Sequence, residues 1–449
     1  MPQVISIQPV TRIEGHASIS IQLDESGDVK DTKVHIMSLR GFEKFVEGKP
    51  AEELPRIVNR ICGICPWQHH LASNKAVDAC FGVKPTSAGR KLRELMQAIS
   101  HSEDKVLHFY FLAAPDFVLG PDADYSVRNV VGIAKANPEL ARRVVQMRYM
   151  AKMILEQFAG KAIHPVAGVP GGFSKPMTEE ERKDILAKMH EMLDFALFTI
   201  DFAKTQVFPK YLDAVQSLGV IRTGFIGTVD GDGALNLYDG QIRLMKPDGN
   251  FVQFDAKDYC SYIAEHVEPY SYGKMPYAHC WKEGFSLDSE HPRGIYRANT
   301  LARINVAEKI ATPKAQAELE EFREKFGRPA QFTLLHHWAR LIEEVYACER
   351  AIELLEDPEI TSPDVRAKVE PKAGRGVGCV EAPRGTLIHD YTTDDNGLIV
   401  KANLIVGTTH NLAPINMSVN QAARTLIKGG SFDETILNKI EMAVRAYDP

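Results

Sequence analysis

Two cysteines three residues apart, Cys62 and Cys65 in RICGICPWQHH, constrain this chain more than any other feature. A Cys-x-x-Cys pair lets two thiolates converge on one metal ion, and thiolates select soft or borderline metals. The fold must then bring any further ligands from elsewhere. Cys80, Cys260, Cys280, Cys348 and Cys379 stand singly, and none forms a second pair. A structural zinc site would need two more ligands at comparable spacing. A redox dithiol would want a thioredoxin-like βαβ setting, which the pattern lacks. On spacing alone, two buried thiols without a metal is the competing reading.

Composition narrows the class. The 449 residues are 44% apolar and 25% charged, ordinary for a globular chain with a sizeable core. A net charge of −6 argues against nucleic acid as the main partner. The opening MPQVISIQPVTRIEGH has no basic region leading into an apolar run, so no signal peptide is expected. No stretch approaches ~18 consecutive apolar residues, so no membrane span is expected. Seven cysteines in a chain of this length do not make a disulfide framework. A reduced, cytoplasmic compartment follows as the expectation.

Residues 1–40 alternate apolar and polar positions as strands do, with a turn at Glu25–Asp28. Helical periodicity then predicts helices over 87–112, 138–158, 178–203, 296–326 and 331–356. Glycine–aspartate turns between short alternating runs predict a hairpin-rich insert over about 220–290. GTLIHDYTTDDNGLIVKANLIV reads as a hairpin turning at Asn396-Gly397. Ser431 and Glu434 are spaced as a capping box, predicting a last helix over 431–447, and Pro449 ends it by disfavouring helix at Asp448. The expected architecture is one compact, helix-rich α+β unit over 1–449. His336 and His337 are adjacent and so face different directions on a helix. GRGVG (374–378) is too short for a dinucleotide fingerprint.

TRIEGH (11–16), RGFEKFVEGKP (40–50), RICGICPWQHHLAS (60–73) and VEAPRGTLIHDY (380–391) together resemble the large, catalytic subunit of nickel–iron hydrogenases, in that family's order. The wording is similar to cytoplasmic archaeal members, deazaflavin-non-reducing, viologen-reducing and linked to heterodisulfide reductase, and next to the NAD-reducing cytoplasmic ones. The resemblance implies a helix-rich fold with a long-helix bundle core and small peripheral antiparallel sheets. It implies a nickel–iron centre held by four cysteines, with carbon monoxide and cyanide on the iron. Cys62 then corresponds to a terminal nickel ligand and Cys65 to one that bridges to iron. Glu14 corresponds to a proton-relaying carboxylate and Arg384 to an arginine beside the cyanides. Thr408 matches a donor to the other cyanide, Asp104 an aspartate orienting the arginine, and His69 a histidine bonding the bridging sulfur. Glu43 and the carbonyl of Leu404 match ligands of a second site for magnesium or iron.

The family's other cysteine pair follows an Asp-Pro dipeptide as Cys-x-x-Cys-x-x-His, and this sequence stops at Asp448-Pro449. Three readings are open: the ordered part of a longer chain, a shortened chain, or a paralog that lost its metal and serves as a scaffold. The resemblance implies reversible oxidation of dihydrogen, with electrons passed to a small subunit carrying iron–sulfur clusters. Further electron-transfer subunits, heterodisulfide reductase among them, are expected beyond it. The alternative is a metal-free paralog or immature precursor in a structural role. Weaker still is a related subunit of proton-pumping quinone oxidoreductases, because that line generally lacks the cysteine pair.

Overall fold

The computed structural model describes residues 3–38 and 40–449. The N-terminal alternation forms an antiparallel sheet of β1 (Val4–Ile7), β2 (Ala17–Leu23) and β3 (Val29–Ile36), with β2 central. Ile19, Ile21 and Leu23 of β2 face inward and are fully buried. The expected turn forms where Asp24 Oδ1 accepts the amides of Ser26 and Asp28.

The helices start and stop on local signals. Helix α1 (Pro66–Phe81) begins on a proline, where no amide hydrogen bond is lost, and ends at Gly82 with a left-handed φ of +62°. Helix α2 (Ser87–Leu107) is capped by the Thr86 side chain and widens into a π-turn over His108–Ala113. Helices α3 (Pro138–Ala159) and α4 (Glu179–Phe202) follow, α4 with a Thr178–Glu181 capping box. The helix expected over 296–326 is two: α5 (Thr300–Val306) and α6 (Pro313–Phe326). Tyr296–Arg297 is a short strand, and Pro313 can start a helix but not continue one. Helix α7 (His336–Glu356) is followed at the end of the chain by α8 (Leu412–Leu426) and α9 (Glu434–Arg445). The Ser431 capping box does not form. Ser431 lies in a turn with Lys428, and Asp433 caps α9 instead by accepting the Ile436 amide, because its carboxylate is nearer the first turn.

The insert holds β4 (Gly224–Val229), β5 (Gln241–Met245) and β6 (Phe251–Phe254), with a separate hairpin of β7 (Ile263–His266) and β8 (Met275–Ala278). Its pairings are antiparallel except where Tyr296–Arg297 joins β4 in parallel. A last meander of β9 (Gly374–Ala382), β10 (Gly385–Thr393) and β11 (Ile399–Ile405) lies against α1. The glycines of GRGVG explain that contact. A Cβ on Gly374, Gly376 or Gly378 would lie 2.3, 2.1 or 2.0 Å from the carbonyls of Cys80, Ala76 and Ala72. Every second strand residue thus meets every fourth helix residue, backbone to backbone.

One continuous apolar cluster joins β2 to α2, α3, α4, α7 and α9 through residues such as Ile19, Leu92, Ile154, Ile185, Leu341 and Ile440. Each fully buried Leu or Ile in it contributes about 1.5–3 kcal/mol. Charges run through this core in pairs. Arg303 is bidentate to Glu343 at 2.7 Å and reaches Glu381 at 2.9 Å, and Lys105 sits 3.3 Å from Glu343. Arg303 also donates to the carbonyls of Ala382 and Pro383, which fixes the turn carrying Arg384.

Candidate metal centre

Cys62 and Cys65 lie on the loop that enters α1, with Cys65 at the helix N-cap. The amides of Ile64 and Cys65 point at Cys62 Sγ, at 3.4 and 3.1 Å. Both thiols are free. Their mutual hydrogen bond lowers the Cys62 pKa and, together with burial, pushes the Cys65 thiol well up. One sulfur of the pair therefore releases its proton far more readily than the other.

Arg384 closes the site. It leads out of β9 into β10 and reaches back to α2, donating to Asp104 Oδ1 at 3.1 Å, and to Asp448 Oδ1 at 2.9 Å. Burial works against its charge, but Asp104 and Asp448 outweigh burial and raise its pKa, with both sulfurs adding to the pull. Burial raises the carboxyls of Asp104 and Asp448 against the same arginine. In the sequence Asp448 reads only as the end of a helix. Its backbone is left-handed there, φ +54°, which swings the carboxylate under Arg384. Its adjacency to Pro449 is the one signal the sequence carries.

Glu14 is half-buried beside the cysteine loop. Its Oε1 lies 3.9 Å from where a Gly63 Cβ would stand, and its amide donates to the Pro449 carbonyl at 2.8 Å. Thr408, also half-buried, follows Gly407, whose carbonyl passes within 2.6 Å of a Gly385 Cβ position, next to Arg384. His69 sits one helical turn after Cys65, fully buried, with its ring Nδ1 3.1 Å from His389 Nε2. Nothing in the sequence signals the pairing to His389; 320 residues separate the two.

Glu43 and Leu404 line a cavity of about 260 Å³ whose walls include neither thiol. The Arg40 guanidinium holds the Glu43 carboxylate, its Nε at 2.8 Å. Burial pushes Glu43 up, but Arg40 and the Leu404 backbone outweigh it and hold the carboxyl below its usual value. Among the described residues, no three His, Cys, Asp or Glu side chains form a metal site by themselves.

The donor set suits a soft metal with small anionic ligands. Two thiols share one loop, and several buried polar atoms around them have no partner: His69 Nε2, Arg384 Nε, Asp104 Oδ2, Asp448 Oδ2 and His108 Nδ1. Each unpartnered buried atom costs about 1–3 kcal/mol. A fixed guanidinium donor in a buried site suits an anionic acceptor, and thiolates suit soft or borderline metals.

The family model described as nickel-dependent hydrogenase matches residues 40–147, and one described as HoxL-like matches residues 4–39. A chain of the vhu F420-non-reducing hydrogenase of Methanococcus voltae is 51% identical, with the match covering 94% of this chain and 99% of that protein. A chain of the F420-non-reducing hydrogenase of Methanothermobacter thermautotrophicus is 46% identical, over 99% of this chain and 93% of that protein. Among solved structures, an NAD+-reducing [NiFe]-hydrogenase in the H2-reduced state superposes with a TM-score of 0.94 at 38% identity, covering 100% of this chain and 98% of the other. A [NiFeSe]-hydrogenase of Dm. baculatum superposes with a TM-score of 0.81 at 25% identity, covering 100% and 99%.

Proposed function

This chain belongs to the nickel-dependent hydrogenases as a large subunit, and from that premise we propose that it oxidises dihydrogen reversibly, in the cytoplasm, with Cys62 and Cys65 among the ligands of its nickel–iron centre. The observation that carries the reading is the Glu14 carboxylate lying against Gly63, inside the cysteine loop, with Arg384 drawn to both sulfurs.

Bound there, a nickel–iron group with carbon monoxide and cyanide on iron supplies a centre that polarises dihydrogen. Cys62 and Cys65 would be among the residues that hold it, Cys65 as the candidate shared with the iron. The protein's own part is to hold and move the proton. A thiolate sulfur accepts it, and Glu14, beside the loop and half-open to solvent, carries it outward as general base and acid. Arg384 would donate from a fixed fork to an anionic ligand of the group, and Asp104 and Asp448 keep that fork in place. Thr408 would donate to another of the group's anionic ligands. His69 would bond a sulfur that holds the group. Glu43 and the Leu404 carbonyl would hold a magnesium or iron ion, in place of the contact Glu43 now makes with Arg40.

Electrons leave through a partner. The single cysteines of this chain give no cluster motif, so the partner is a small subunit with iron–sulfur clusters. Further electron-transfer subunits, heterodisulfide reductase in a methanogenic setting, lie beyond it. No helix among the described residues is long and apolar enough to cross a membrane.

Glu14→Gln in the purified complex is expected to keep its nickel and to lose about 10²–10⁴-fold of dihydrogen-dependent viologen reduction, the usual worth of a positioned proton carrier. Unchanged turnover in that variant contradicts the assignment of Glu14. A nickel-free wild-type complex without turnover favours the structural-subunit reading instead.

A further inference from the structure

Glu14 stands on a segment, residues 8–16, that belongs to no helix or strand. A carboxylate on such a segment is placed only as well as the segment is anchored. The anchor here is polar. Arg12 has a left-handed backbone, φ +56°, which a non-glycine residue keeps only when its surroundings hold it. Its Nη2 donates to Asp116 Oδ1 at 2.5 Å. The other oxygen of Asp116 accepts from Arg445 Nη1 at 2.9 Å. Arg445 then returns to the segment. It donates through Nε to the Thr11 carbonyl at 3.0 Å and through Nη2 to Thr11 Oγ1 at 2.9 Å. Glu441, one turn earlier on α9, accepts the Thr11 amide at 2.6 Å.

Asp116 is the centre of this anchor. It is 1% exposed and sits among three guanidiniums, Arg12, Arg445 and, at 3.9 Å, Arg128. Without its charge, Arg12 and Arg445 face each other as like charges in a buried place. Burial lowers the Arg12 pKa, Asp116 opposes that, and Arg445 adds to it. Arg12 is the one free to leave. Its side chain is 15% exposed against 1% for Arg445, and Glu441 still holds Arg445. Asp116 also ties together the three segments that bring carboxylates to the site. Arg12 lies two residues before Glu14, Arg445 three before Asp448, and Asp116 itself on the continuation of the chain from α2, which carries Asp104.

We propose that Asp116 is a positioning residue for the proton step: through Arg12 and Arg445 it holds the segment of Glu14 against the cysteine loop. The inference rests on the reading of Glu14 as the proton carrier. Neutralising Asp116 releases Arg12, the left-handed turn relaxes, and Glu14 loses its fixed distance to the loop while the thiols stay where α1 puts them.

The test uses the purified complex and reads dihydrogen-dependent viologen reduction in light and heavy water, nickel content, and backbone hydrogen exchange by mass spectrometry. Asp116→Asn is expected to keep its nickel and its KM for dihydrogen, and to lose up to about 10²-fold of kcat, the scale of a displaced catalytic group. Its solvent isotope effect is expected to exceed that of wild type, because proton carriage has become slow. A residue that only stabilised the fold would lower the amount of active enzyme and leave the isotope effect where it was. Exchange over residues 11–16 is expected to quicken in the variant, with α4 unchanged. In a Glu14→Gln background, Asp116→Asn is expected to cost no further turnover, since the two act as one unit. An unchanged isotope effect, unchanged exchange over 11–16, or a double variant slower than Glu14→Gln by the full factor of the single change overturns the proposal. Glu14→Gln at wild-type turnover overturns the proton-carrier reading and the proposal with it, so the two failures are told apart. If Asp116→Asn does not assemble, Arg12→Met, which leaves Asp116 paired with Arg445, decides by the same readings.

Discussion

The last turns of α1 meet β9 through bare backbone, Ala72, Ala76 and Cys80 against Gly378, Gly376 and Gly374. Its first turns carry Cys65, His69 and Ser73, and there His69 leaves its Nε2 without a protein partner. One helix thus joins a region held by volume to a region held by charge. The packed end leaves no room for a methyl group. The polar end is complete only in its ion pairs, and the guanidinium of Arg384 stands between two carboxylates, one from α2 and one from beyond α9. The glycine-lined half anchors α1 so that the cysteine loop at its start is placed by the sheet, not by its own contacts.

That contrast can be broken from either side. The largest effect is expected at the charged end. Asp448→Ala leaves Arg384 with one carboxylate in a dry site, and removing one partner of a buried pair costs about 3–5 kcal/mol. Denaturant titration of this variant is expected to show a loss in that range; a loss no larger than that of an exposed aspartate contradicts the charge account. Next comes the packed end. A side chain at Gly376 meets the Ala76 carbonyl and the Cys80 amide, so Gly376→Val is expected to lose about 3 kcal/mol by pushing α1 off the sheet. If its melting point matches wild type, the glycine stripe is not what sets the helix position.

An effect graded by pH, small over any one unit, comes from Glu344 of α7, which burial raises to about 8 from 4.5. Between those values the folded chain binds the proton and the unfolded chain releases it. This contribution is therefore present in full below pH 4.5 and is lost as pH rises toward 8. Its slope is at most about 1.4 kcal/mol per pH unit. Glu344→Gln is expected to flatten the fall of the unfolding free energy across that window relative to wild type. Parallel curves for the two proteins would mean that the carboxyl is ionised in the folded state.

Much of this was legible in the residues. The hairpin at Asn396-Gly397 and the long helices over 87–107, 138–159 and 179–202 follow from turn chemistry and period, which are local. The hydrogenase motifs mark the cysteine loop, Glu14 and Arg384 because each motif is contiguous. What could not be read is what long-range packing decides. The break between α5 and α6 has a local sign, Thr312-Pro313, overridden by the helical periodicity on both sides. Asp433 wins the cap of α9 over Ser431 because Gly429 and Gly430, both at positive φ, spend Ser431 on a turn. The glycines of 374–378 are too few for a nucleotide loop, and only the partner helix reveals their use. The pairings of His69 with His389 and of Asp448 with Arg384 join residues 320 and 64 positions apart, and no periodicity carries that.

The most direct test of the account is the nickel content of the complex purified from its native source, compared between wild type and a folded Cys65→Ala variant. The account predicts stoichiometric nickel in the wild type and none in the variant. Equal nickel in both proteins, or none in either, would contradict the assignment of the Cys62–Cys65 loop as the seat of the metal.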